Sequence, residues 1–288
     1  MSLIVVLYAA LGFVAGVIVN LLADYLPARR YHLLAKANPF GSQSIVPPIP
    51  PFLPRRADGS GSRWPIPQWS GLVAALSGAA VFEPRRRMRH VLAEVGLALA
   101  FALIAAQYGT ERSLPFLLFY AAVFALVIII DVEYRWILFE TIWPAALVAL
   151  AEAAFMPRVS LDNAVQGGLY GFAILFGLYL LGLVFARAMS AVTGRRVGRT
   201  VLGFGDVLMA TLSGLILGWQ GLGPALFIMV ITGAVAALLF IANKLIRARR
   251  YRMYSAIPYG PYIVIGTAVM LYLPWLGGEM VWRFLSRL

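Results

Sequence analysis

Long apolar runs separated by short clusters of Lys and Arg recur along almost the whole chain. No other feature limits the fold so severely. A helix needs about 20 mostly apolar residues to cross a bilayer core. Eight stretches meet or approach that length: 3–26, 91–108, 115–131, 136–155, 163–188, 203–219, 223–243 and 257–276. They predict an all-α, polytopic integral membrane protein of about eight transmembrane helices. Composition points the same way, because only 12% of the residues are charged, against about 25% in a soluble domain. A chain this apolar cannot cover itself with polar surface in water.

The position of the basic residues predicts orientation. With the N-terminus outside, twenty of the 24 Lys and Arg fall in cytoplasmic loops: 27–90, Arg135, Arg187 to Arg199, and Lys244 to Arg252. Only Arg112, Arg158, Arg283 and Arg287 remain outside. Cytoplasmic loops carry this excess because positive charge resists translocation. The same placement argues against nucleic acid as the partner of the +12 net charge and favours anionic lipid headgroups. The first run has no Lys or Arg ahead of it, and Arg29 and Arg30 follow it. It reads as a retained helix, not a cleaved signal.

Three parts are expected: a first transmembrane helix over 1–26, a basic, proline-rich cytoplasmic loop over 27–90, and a seven-helix membrane catalytic core over 91–288. Within the loop, the apolar stretch Trp69 to Phe82 is too short to span and reads as an interfacial or re-entrant helix.

The chain has no cysteine, which removes disulfides, thiol nucleophiles and Cys-ligated zinc. His32 and His90 both sit among basic residues and read as solvated or headgroup-level side chains, so no metal site is expected. Acids inside spans are costly and therefore functional candidates. Asp24, Glu133 and Glu152 lie near span ends, where headgroup water is in reach. Asp131 closes the third span and Asp206 opens the sixth, so the topology brings both to the cytoplasmic face at similar depth. Two carboxylates placed so can act on one bond: one takes a proton from water while its protonated partner polarises a carbonyl. Gly203 and Gly205 leave room beside Asp206 for a close backbone. Against this stands the plainer reading of Asp206 as an acid favoured at a helix N-terminus.

At these residues the sequence resembles the type IV prepilin peptidases, a family of GxGD aspartic membrane peptidases. Gly203-Phe204-Gly205-Asp206 is similar to the family's second catalytic aspartate motif and Ile130-Asp131-Val132-Glu133 to its first, with Pro144 at the spacing of a later proline. Gly16 to Asn20, closing in Leu26-Pro27, resembles the first-helix G-x-x-x-N stretch. Arg89 to Glu94 resembles the R-x-x-L-x-E opening of the second span, and Ile257 to Tyr262 the I-P-F-G-P-Y opening of the last. The resemblance implies an aspartic endopeptidase of the plasma (inner) membrane, multi-pass, with its active site facing the cytoplasm. It implies cleavage of the leader from type IV pilin-like precursors, with Asp131 and Asp206 catalytic and Gly203, Gly205, Glu94 and Asn20 in support. Proteolysis needs no cofactor. S-adenosylmethionine enters only if the family's N-methyltransferase activity is present, and the loop here lacks the four cysteines often found in the family. Leu208 replaces the usual lysine two residues after the second aspartate, and Ile137-Leu138-Phe139 replaces a Leu-Pro-Asp. A proton- or cation-coupled transporter and a catalytically silent pilus-assembly protein are the alternatives.

Overall fold

The computed structural model describes residues 2–37, 70–76, 84–109, 111–156, 158–193, 203–248 and 259–274. They form α1 (Ser2–Ala37), α2 (Gly71–Leu76), α3 (Pro84–Tyr108), α4 (Leu114–Tyr134), α5 (Phe139–Phe155), α6 (Leu161–Thr193), α7 (Phe204–Ala248) and α8 (Gly260–Tyr272), with no strand among the described residues. The protein is thus the all-α, polytopic membrane protein that its apolar runs predict. Five helices, α1, α3, α4, α6 and α7, are long and apolar enough to cross a membrane. The other two main helices, α5 with 17 residues and α8 with 13, are shorter. Most of the proline-rich loop, including Trp64 and Trp69, lies outside the described residues, as do 194–202 and 249–258.

The chain forms two compact units, Met1–Ile130 and Asp131–Leu288. In the first, α1 and α3 pack antiparallel through small residues. A Cβ on Gly12 would strike the Leu97 carbonyl, and one on Gly16 would lie 2.6 Å from the Glu94 Cα. One turn further along, the Asn20 side chain donates to the His90 carbonyl at 3.2 Å, and Arg89 donates to Asp24 at 2.8 Å. His90 is therefore not a solvated histidine: it is 2% exposed, and its Nε2 accepts from Arg89 at 2.7 Å. Asp24, on α1, is drawn into the same contact. Arg86, Arg89 and His90, on the facing turns of α3, all approach its carboxylate.

In the second unit α7 would be about 68 Å long if straight, twice the thickness of a bilayer core of about 30 Å. It is broken at Gly218, whose φ of 72° and ψ of 173° leave the helical region. Only glycine enters that conformation without a steric penalty. Trp219 N–H, freed from the helix ladder, donates to Asn163 Oδ1 at 3.0 Å. Contacts to α8 show that the chain reverses here. Ser213 bonds Thr267 at 2.7 Å, Gly266 lies against Ala225, and Gly233 faces Tyr262. Residues 204–217 thus run parallel to α8, and residues 219–248 run antiparallel to it. The two stretches expected over 203–219 and 223–243 are the two arms of this reversal.

The remaining helices keep the same alternation. α6 runs antiparallel to the first arm of α7, with Gly167 and Gly171 backed directly onto the Gly214 and Ala210 carbonyls. Near the other end of this contact Tyr179 meets Phe204 edge to face. α5 runs parallel to that arm, since Ile137 just before it touches Gly205, and Glu152 near its end lines one small crevice with Leu215 and Ile216. Glu152 does not reach headgroup water as expected: it is 2% exposed and holds Arg158 through two bonds of 2.7 and 2.8 Å. A carboxylate this buried is retained because its charge is matched and hydrogen-bonded. Hydroxyls within α7, on Thr211, Ser213 and Thr232, donate to backbone carbonyls four residues earlier. In this unit one end therefore gathers the close of α4 and the starts of α5, α7 and α8. The other gathers Glu152, Arg158, Asn163 and Gly218.

Candidate active site

Asp131 lies in the last turn of α4, after the unbroken apolar run from Ala121 to Ile130. The helix ends four residues later, where Arg135 N–H donates to the Asp131 carbonyl at 2.9 Å and Arg135 takes a φ of 56°. A left-handed residue commonly closes a helix, although the position usually falls to glycine. Residues 135–138 then cross to α5, whose first turn is set by Thr141 Oγ1 donating to the Leu138 carbonyl at 2.7 Å. The Asp131 carboxylate leans to the start of α8, where Gly260 N–H donates to its Oδ2 at 3.1 Å. Gly260 has to be glycine for this contact, since a Cβ there would lie 2.6 Å from the same oxygen.

Asp206 sits in the first turn of α7. Gly203 N–H donates to its Oδ2 at 2.8 Å, and Asp206 N–H donates back to the Gly203 carbonyl at 3.1 Å. This reciprocal pair fixes the carboxylate at the helix entrance, where the dipole favours negative charge. Gly205 gives the close approach expected of it: Ile137 of the α4–α5 crossing lies against it, with 2.7 Å between the Ile137 Cβ and a Cβ built on Gly205. Both aspartates are buried, at 5% and 8% exposure, while Gly203, Phe204 and Arg135 around them are exposed. Ile137 links their surroundings, lying against Gly205 beside Asp206 and against Gly260, whose N–H holds Asp131. Each carboxylate spends one oxygen on a backbone N–H and keeps its Oδ1 for other partners. Among the described residues there is no cluster of three or more His, Asp or Glu side chains that could hold a metal ion.

The other two candidates, Asn20 and Glu94, belong to the first unit. Glu94 is fully buried and accepts three bonds at the start of α2: from Ser70 Oγ at 2.7 Å, Gly71 N–H at 2.8 Å and Leu72 N–H at 3.0 Å. Asn20, also fully buried, ties α1 to α3 at His90. Two residues that sequence reasoning gave no role touch the aspartates' surroundings directly: Gly260 and Ile137. Gly260 was legible as a glycine between Pro258 and Pro261 at a helix start. Ile137 carried no signal, because one isoleucine after a helix end looks like any other.

Residues 117–241 match the model of the type IV leader peptidase family. Over these residues the chain is similar to that family. The match includes Asp131 and Asp206 but ends before Gly260, and it excludes Asn20 and Glu94. The chain is 29% identical over 181 residues to a prepilin leader peptidase/N-methyltransferase of Pseudomonas putida, covering 63% of this chain and 57% of the relative. It is 33% identical over 137 residues to one of Dickeya chrysanthemi, with 48% and 41% covered, and 31% identical over 126 residues to one of Aeromonas hydrophila, with 44% and 37% covered. In each case it spans less than two thirds of the relative's length. No solved structure gives a significant match.

Proposed function

We propose that this protein is an intramembrane aspartic endopeptidase that cleaves the leader from type IV pilin-like precursors. One observation carries the reading: two buried aspartates stand at one end of the second unit, each held through one oxygen by a backbone N–H. Two carboxylates that share one site do not both ionise cheaply and titrate as a pair. The ionised member takes a proton from water through its Oδ1 as the water oxygen bonds to the scissile carbonyl carbon. The protonated member donates to the carbonyl oxygen, and collapse of the tetrahedral adduct passes a proton to the departing amine. No cofactor enters these steps. Gly203 leaves the approach to Asp206 open to an extended substrate backbone, Gly205 admits Ile137, and Asn20 and Glu94 support the fold around α1 to α3.

The proposal includes eight spans, an external N-terminus, residence in the plasma (inner) membrane and a cytoplasmic active site, supported by the basic loops. Its substrates are type IV pilin-like precursors, as the names of the relatives suggest. N-methylation with S-adenosylmethionine is not part of the proposal, since the loop has no cysteine to organise a metal-bound domain. The test is co-expression with candidate precursors, read by the mass of the mature N-terminus. Asp131→Asn and Asp206→Asn are each expected to abolish cleavage while leaving insertion intact. Near-normal processing by either variant would overturn the assignment, and labelled methyl on the mature N-terminus would overturn the single-activity reading.

A further inference from the structure

Three short segments meet where the aspartates stand, and one side chain lies between two of them. On one side is the entrance of α7: a Cβ built on Gly205 would be 2.7 Å from the Ile137 Cβ and 3.3 Å from its carbonyl oxygen. On the other is the entrance of α8: a Cβ built on Gly260 would be 3.1 Å from the Ile137 Cδ1. Gly205 is the residue before Asp206, and Gly260 is the residue whose N–H holds Asp131. Neither glycine has a side chain with which to adjust the fit, so the Ile137 side chain, from Cβ to Cδ1, fills the gap between the two backbones.

We infer that Ile137 is a positioning residue of this site, the spacer that sets the separation of the Asp131 and Asp206 carboxylates by acting through Gly205 and Gly260. The inference rests on the peptidase reading for its consequence in catalysis, though not for its geometry. Ile137 also holds the segment from the other direction. It is six residues from Asp131, beyond the left-handed Arg135, so the α4 end and the two helix entrances are indexed to the same short crossing. A carboxylate pair that must share a proton works only over a narrow range of separations, and a misplacement of about 1 Å can cost about 100-fold in rate.

The test moves one carbon across the contact. Gly205→Ala places a Cβ against the Ile137 Cβ and is expected to lower kcat about 100-fold with little change in KM, since what shifts is the spacing of the two carboxylates. Ile137→Gly removes the atom it strikes. The double variant Ile137→Gly/Gly205→Ala is expected to recover at least about tenfold in kcat over Gly205→Ala alone, a non-additivity reserved for groups that act as a unit. Ile137→Gly should not rescue Gly260→Ala, whose Cβ meets the Asp131 oxygen itself. The milder Ile137→Val, which removes Cδ1 alone, should lower kcat without weakening expression. Effects of Gly205→Ala and Ile137→Gly that simply multiply in the double variant would overturn the inference.

A second readout needs no activity. The chain has no cysteine, so Asp131→Cys/Asp206→Cys provides a clean thiol pair in the full-length protein. Its cross-linking by bifunctional thiol reagents of graded length should shift to shorter reagents when Ile137 becomes glycine. An unchanged preference would overturn the spacer role even if precursors are cleaved. If no precursor is cleaved, the peptidase reading fails while the cross-linking still decides the spacer.

Discussion

The buried carboxylate of Glu94 gives the most quantitative prediction. It accepts from the Ser70 hydroxyl and the Leu72 N–H on one oxygen and from the Gly71 N–H on the other. Replacing it with glutamine keeps the shape and exchanges one acceptor for a donor. With the amide oxygen toward Gly71, the Ser70 hydroxyl can rotate to accept, but the Leu72 N–H faces an NH₂ group. With the amide reversed, the Gly71 N–H does. Either way one buried N–H loses its partner, at a cost of about 1–3 kcal/mol. That loss should appear as easier opening of α2 from α3, by roughly 10-fold at 1.4 kcal/mol and 100-fold at twice that. Ala74 is fully buried on α2, so Ala74→Cys supplies a single thiol in a chain that has none. Maleimide labelling of that thiol, under conditions where closing outruns reaction, should accelerate 10- to 100-fold on adding Glu94→Gln. Glu94→Ala should accelerate it further, because both N–H groups are then orphaned. Equal labelling rates with and without the Glu94→Gln substitution would show that the three bonds do not hold the segment.

Glu152→Gln should lower apparent thermal stability in detergent by about 3 kcal/mol, since it removes the buried carboxylate charge that takes two bonds from Arg158. Pairing Glu152→Leu with Arg158→Met should recover most of that loss, and a double variant no better than the single would point to another role for the pair. Gly214→Ala drives a Cβ into the Gly167 carbonyl and should cost about 1–3 kcal/mol by forcing α6 and α7 apart. Gly177→Ala, whose Cβ would meet nothing within 4 Å, is the matched control and should be neutral.

The reach of sequence reasoning followed the physics of each signal. Apolar length is a property of a segment alone, so the helices could be read without knowing their neighbours. Asp131 and Asp206 could be paired because helix parity places segment ends on one side or the other, and the contacts of α5, α6, α7 and α8 follow that same alternation. Burial by a partner helix is different, because it depends on which turn faces which. His90 and Asp24 look like residues of a wet helix end until α1 and α3 are laid antiparallel and the two meet. Glu152 was misread for the same reason, its partner being Arg158, which the charge count assigned only to an exterior loop. Gly218 carries no signal in the sequence, because nothing local distinguishes a glycine at a reversal from one at a helix crossing such as Gly167.

The reversal at Gly218 also bears on how the protein enters the bilayer. No Asp, Glu, Lys or Arg occurs between Asp206 and Lys244. The turn is closed by a single residue, with Asn163 from α6 satisfying the N–H that the break exposes. Whichever side that turn finally occupies, delivering it there moves no charge across the membrane and drags no polar loop behind it. The two arms can therefore partition together, as one preassembled hairpin, at little more than the cost of Gln220. The next helix, α8, then arrives to find both arms already side by side, with Ser213 on one and Ala225 on the other ready to receive Thr267 and Gly266.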